Sequence, residues 1–276
     1  MRIDLHVHTR ESDGFSSVRE IITLARKEKI GTLAITDHES TQGIEQALLL
    51  ASASGIKIIP GIELLTCYKG IEVHLLGYFK NVNNHDLQNR LKELRERRTA
   101  LTYQMVKIFQ QTGYPLEWKE VEKEANAEAA VSLGHIIRAI VKREKYHDRE
   151  TLRRIISFFR PGGIAFLPFL EHPFDEAVDL IFATGGLPVL AHPGLLPDNS
   201  IVTKLLAYRP IGLEVYYGYW DDREKMIAYY ADLAVKSAIL ATGGSDYHGP
   251  LGRIKLGCIN IPLSSVTGLQ DYLGIK

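Results

Sequence analysis

Apolar, strand-like runs in this chain end repeatedly in histidine and acid, and that placement constrains the fold more than any other feature. The first run, Arg2 to His8, closes in Asp4-Leu5-His6-Val7-His8-Thr9, with Asp13 just beyond. Alternate residues of a strand share a face, so His6 and His8 aim two imidazoles at one point. Later runs end in Thr36-Asp37-His38, Gly61-Ile62-Glu63, Val73-His74, Ala191-His192-Pro193 and Ser245-Asp246-Tyr247-His248. A lone histidine beside an apolar strand is ordinarily a hydrogen-bonded structural residue. That bland account suits His85, His147 and His172, which lack strand context. It does not suit a whole set placed beside acids at strand ends, which is the pattern of a metal site. Imidazole and carboxylate without thiolate fit zinc, manganese or iron(II) rather than copper(I).

Between these runs lie helical patterns, over 17–29 and 41–54, and the strand-like runs continue at 31–36, 57–64, 72–79, 187–191, 212–216 and 238–242. The alternation predicts a parallel α/β fold of about seven strands. Polar residues at the carboxyl ends of the strands match the active face of a (β/α) barrel. Residues 84–168 differ in texture, with helical periodicity and many charges, and predict a mainly helical inserted domain capping a barrel formed by 1–83 and 169–276. Its first helix carries an apolar stripe of Leu87, Leu91, Leu94, Leu101, Met105 and Ile108, interrupted by Arg98. The arginine either snorkels its stem along the core or points into the cleft at an anion. Ser132 is a candidate cap for a helix from Leu133, which would place His135 in a first turn suited to phosphate.

With 276 residues and 45% apolar content, the chain can bury one large core or a core plus a small second domain. Thirty-three basic and 33 acidic residues balance, so no global field favours a long duplex, and a small anionic substrate fits better. Two cysteines, Cys67 and Cys258, give no disulfide framework. With no signal-like start and no apolar run long enough to cross a bilayer, the expected location is cytoplasmic, without membrane or duplex DNA partners.

The strand-end motifs quoted above resemble the four motifs of the polymerase and histidinol phosphatase (PHP) superfamily. Gly134-His135-Ile136-Ile137-Arg138-Ala139 and Phe159-Arg160-Pro161-Gly162-Gly163 look like its branch of 3',5'-nucleotide bisphosphate phosphatases and 5'-3' exoribonucleases. The resemblance implies a distorted seven-stranded (β/α) barrel with a helical insertion and a trinuclear centre, often manganese, with Zn2+ or Fe2+ also suited. It implies that His6, His8 and Asp246 hold the first ion, that Glu63 bridges it to a second held by His74 and His192, and that Asp13, His38 and His248 hold the third. Clustered divalent ions would lower the pKa of water and generate a hydroxide for in-line attack on phosphorus, with Asp246 orienting it. Asp37 is expected to fix a ligand imidazole from outside the metal sphere.

Family members commonly carry Arg-Pro before the histidine matching His135, where this chain has Leu133 and Gly134. The replacement cation would come from Arg98, Arg138 or Arg253. The leading expectation is release of the 3'-phosphate from a nucleotide 3',5'-bisphosphate. Trimming of short 5'-phosphorylated RNA is the linked alternative; in either case Tyr216, Tyr217, Tyr219 and Trp220 could stack bases or simply pack. Histidinol phosphate hydrolysis and a non-catalytic metal-binding module are weaker alternatives. An amidohydrolase-type centre would use a strand-end lysine, which the core strands after the first lack.

Overall fold

The computed structural model describes residues 2–126, 128–144, 149–219, 221–250, 252 and 254–275, so His147, Trp220 and Arg253 lie outside it. The first half runs β1 (Arg2–Asp4), α1 (Val18–Lys27), β2 (Ile30–Ile35), α2 (Gln42–Ser52), β3 (Lys57–Tyr68) and β4 (Ile71–Tyr78). Four helices follow: α3 (His85–Gln110), α4 (Trp118–Glu122), α5 (Leu133–Glu144) and α6 (Arg149–Ser157). The chain then returns through α7 (Phe174–Ala183), β5 (Leu187–Leu190), α8 (Asn199–Leu206), β6 (Gly212–Tyr217), α9 (Arg223–Lys236), β7 (Ala241–Gly244) and α10 (Leu263–Leu273). The helix starts are chemically marked. Ser17 and Glu20 form a capping box on α1, and the Asn84 side chain accepts the first amides of α3.

All seven strands form one sheet in sequence order. Closure comes from the segment after β1: Leu5 N–H donates to Gly243, Asp246 N–H to His6, and His8 N–H to Tyr247, at 2.9 to 3.2 Å. The approach is tight, since a Cβ on Gly244 would lie 2.2 Å from His6 Cβ. The expected strand from Arg2 to His8 is therefore regular only to Asp4, and continues as an extended segment between β2 and β7.

One expectation about direction is corrected. β4 is antiparallel to both neighbours, because Lys69 and Gly70, with φ of 50° and 80°, make a two-residue hairpin turn that can join only antiparallel strands. The pairing prolongs β3 past Pro60, its last partner residue with β2. Glu63 thus lies within a strand, and His74 enters from the amino-terminal half of β4; neither sits at a carboxyl end.

Apolar side chains of the sheet and its flanking helices form the main core. Residues 105–165 build a separate cluster around Val106, Phe109, Ile136 and Phe159. The stripe of α3 starts against the sheet with Leu87, Leu91 and Leu94 and reaches this second cluster at Met105, with Arg98 and Thr102 buried between. Among the described residues no helix is long and apolar enough to cross a membrane.

Candidate metal centre

Glu63 is the focus of the site. Its carboxylate is 1% exposed, and one oxygen lies 2.9 Å from His74 Nδ1 and 3.1 Å from His192 Nε2. The other lies 3.4, 3.2 and 3.3 Å from nitrogens of His6, His8 and His38. A parallel bridge between His38 and Glu63 sets this approach. Asp246 Oδ1 adds contacts of 3.1 Å to His8 and 3.4 Å to His6. Asp13 lies 3.3 Å from His248, 3.6 Å from His8 and 4.0 Å from His38.

Among the described residues three groups have ligand atoms within 4.8 Å of one another: His6, His8, Glu63 and Asp246; His38, Glu63 and His74; and His8, Asp13, His38 and His248. The first and third contain the residues expected for the first and third ions, joined by Glu63 and by His8 respectively. In the second group His38 stands where His192 was expected, while His192 contacts the same Glu63 oxygen as His74. Buried His8 Nδ1, His38 Nδ1 and Asp246 Oδ1 lack hydrogen-bond partners. Burial with unused lone pairs is costly unless something else satisfies them. An oxygen-and-nitrogen donor set of this kind fits divalent cations.

Burial opposes every charge here, and the close pairing reverses it for several groups. The Glu63 carboxyl is held well below the usual range by His38 and His6 despite desolvation, and Asp246 is held low by His6 and His248. Burial lowers His74 and His248, but Glu63 raises the first and Asp13 the second, each to about 10. Protons thus occupy these nitrogens in the cation-free site, and cations must displace them. Three non-glycine residues of the site, Glu39, His192 and Asp246, have positive φ, at 47°, 26° and 53°. Such backbone is kept where surrounding structure over-determines it.

The 84–168 segment reaches the surroundings of the centre through Arg98, Gly134 and Arg138. Arg98 is buried and pairs at 2.5 Å with Glu39, whose other oxygen accepts the Leu65 amide. Its guanidinium neither reaches water by snorkelling nor stands free. Its charge nevertheless acts on the ring of His38, adding to burial in lowering that pKa. Burial sets His135 to about 3, and Arg138 adds to the effect. Ser132 and His135 share a local motif: the imidazole Nδ1 accepts the Ser132 amide at 2.9 Å. The neutral ring therefore carries its proton on Nε2, which is buried and has only a loose approach to the Ser12 backbone. Gly134 packs so closely that a Cβ would fall 2.5 Å from Asp13 Cβ. Arg138 donates to Gly14 carbonyl, with Nε and Nη2 unpartnered.

Asp37 does not contact an imidazole. It accepts from Thr9 N, Thr9 Oγ1 and Ser12 Oγ at 2.5 to 2.7 Å, which shapes the turn carrying His8 and Asp13. The carboxylate beside an imidazole is instead Glu214, an acid within β6 that sequence reading missed, 3.0 Å from His6 Nδ1. An acid in an otherwise apolar strand is the signal that could have found it. The tyrosines pack: Tyr217 donates to Asp246 Oδ2 at 2.8 Å, Gly194 N–H donates to Tyr219 Oη, and Tyr216 packs against two core clusters.

A family model described as PHP domain matches residues 4–166. The phosphoribosyl 1,2-cyclic phosphate 1,2-diphosphodiesterase of Eggerthella lenta is 30% identical, over 91% of this chain and 95% of that protein. The 5'-3' exoribonuclease Rnm of Salmonella typhimurium is 29% identical, over 92% and 87%. The 3',5'-nucleoside bisphosphate phosphatase of Chromobacterium violaceum is 29% identical, over 90% and 87%. A solved structure described as an amidohydrolase from Chromobacterium violaceum with bound sulfate superposes with a TM-score of 0.86 at 26% identity, covering 99% of this chain and 97% of that one.

Proposed function

The chain belongs to the PHP domain family as a metal-dependent phosphoesterase, and we propose that it removes the 3'-phosphate from nucleotide 3',5'-bisphosphates with three divalent cations, manganese foremost. The observation that carries this reading is the overlap of three donor groups beneath two buried cation or N–H donors, Arg98 and His135, contributed by 84–168. That segment is read as a helical cap on the barrel of 1–83 and 169–276.

His6, His8, Glu63 and Asp246 would hold one cation, Glu63, His74 and His192 or His38 a second, and Asp13, His38 and His248 with His8 the third. When bound, the cations supply Lewis-acid charge and acidify water. The chain's own groups do the rest. Asp246 stays ionised, with Tyr217 engaging Oδ2, and its Oδ1, which lies among the imidazoles of His6, His8 and His248, would orient a water at the centre by accepting a hydrogen bond. The neutral His135 offers its Nε2–H to a phosphoryl oxygen, and Arg98 contributes positive charge. Donors fixed before the substrate arrives cost no reorganisation as charge develops.

The bisphosphate phosphatase relative supports the mononucleotide reading, and the buried Tyr217 and Tyr219 leave base contacts to other residues in either reading. The exoribonuclease relatives support the second reading, a trimming activity on short 5'-phosphorylated RNA. The test supplies Mn2+-loaded protein with adenosine 3',5'-bisphosphate, a 5'-phosphorylated RNA trimer and phosphoribosyl 1,2-cyclic phosphate in parallel. Fast phosphate release from the bisphosphate alone supports the proposal. Stepwise mononucleotide release from the trimer, or opening of the cyclic phosphate alone, reassigns the substrate.

A further inference from the structure

Glu214 belongs to none of the three donor groups, yet both of its oxygens serve site residues. The side chain is wholly buried in β6; one oxygen lies 3.0 Å from His6 Nδ1, and the other accepts the His192 backbone N–H at 2.8 Å. A carboxylate only accepts hydrogen bonds, so it keeps a proton on His6 Nδ1. The other ring nitrogen then presents its lone pair to the site, 3.2 Å from His8 Nε2 and 3.4 Å from both Glu63 and Asp246. The bond to His192 acts on a residue whose φ of 26° is unfavourable for a side chain. The rings of His6 and His192 lie stacked, 5.9 Å apart and 20° from parallel.

We propose that Glu214 is a positioning residue that sets the His6 ring and the His192 backbone together, so that one carboxylate of β6 aligns ligands carried by the β1 and β5 ends. The alignment would bear on the donor group around His6 and on the Glu63 oxygen shared by His74 and His192. This inference rests on the metal-centre reading above.

Glu214→Gln keeps the shape but offers a single acceptor oxygen to two N–H groups. Either the His192 amide loses its partner, or the new NH2 faces His6 Nδ1 and drives the ring proton to Nε2, removing the lone pair that would bind metal. Calorimetric titration of the protein with Mn2+ should show affinity at one or more positions weakened about 10–100-fold. The zinc-loaded wild type should show a hydrogen-bonded His6 Nδ1 proton by 15N–1H NMR, and the variant should lack it or show a weakened one. Wild-type affinity in Glu214→Gln with only a lower metal-free melting temperature would overturn the proposal, leaving Glu214 a purely structural residue. If the variant does not fold, the wild-type spectrum still decides, because absence of the His6 Nδ1 proton overturns it. A wild type that binds neither Mn2+ nor Zn2+ would instead overturn the metal-centre reading itself.

Discussion

Arg98→Ala should destabilise the metal-free protein by about 3–5 kcal/mol, the usual consequence of breaking a buried ion pair and leaving one charge behind. The Glu39 carboxylate is 1% exposed and would keep only the Leu65 amide at 2.8 Å, having lost its 2.5 Å partner. For a chain of this size each kcal/mol corresponds to about 2–4 °C, so the melting temperature should fall by about 6–20 °C. The double variant Arg98→Met with Glu39→Gln removes both charges and keeps most of the volume, and should recover to within about 2 kcal/mol of wild type. Urea titration followed by circular dichroism, with chelator present, measures all three proteins. A loss below about 1 kcal/mol in Arg98→Ala, or a double variant no better than the single one, would refute the view that Glu39 is stranded by the change. In the metal-loaded enzyme both variants should also raise KM for an anionic substrate, because the charge of the same guanidinium is felt at His38 and Asp13.

Gly134→Ala should loosen the Asp13 end of the centre, since its new Cβ would meet Asp13 Cβ at 2.5 Å; elemental analysis should find less bound metal in a folded protein, and full occupancy would contradict this. Mn2+ uptake should release protons, because His74 and His248 are held at about 10 by Glu63 and Asp13; titrations in buffers of different ionisation enthalpy would detect this, and an identical heat in every buffer would exclude it. His172, lowered by burial to about 4, binds a proton more readily unfolded than folded, so stability should fall as pH drops from 6.5 towards 4, by up to about 3 kcal/mol. His172→Gln should flatten that slope in chemical denaturation, and an unchanged slope would assign the acid sensitivity elsewhere.

The strand-end histidines were legible because an imidazole that closes an apolar run, and recurs beside acids, has few structural explanations. The turn after β3 was equally legible in principle: Lys69-Gly70 between two apolar runs is a hairpin signal, and reading 57–64 and 72–79 as separate strands concealed the antiparallel β4. Glu39 and Glu214 escaped for a different reason. Each is defined by a partner distant in sequence, Arg98 for the first and His6 for the second, and spacing along the chain carries no record of such pairs. Arg98 itself was visible as a break in an apolar stripe, but neither expected destination, water or a cleft anion, was its partner, and finding Glu39 required the position of the loop that carries it. Asp37 was expected beside an imidazole, but adjacency to His38 in sequence does not direct its side chain, which turns instead to Thr9 and Ser12.

The most direct measurement of the central claim is phosphate release from adenosine 3',5'-bisphosphate in 18O-labelled water, comparing chelated protein with protein reloaded with Mn2+. Metal-dependent hydrolysis predicts phosphate carrying one solvent-derived oxygen from the reloaded enzyme, and little release from the chelated one. Equal release with and without metal, or phosphate free of label, would contradict it.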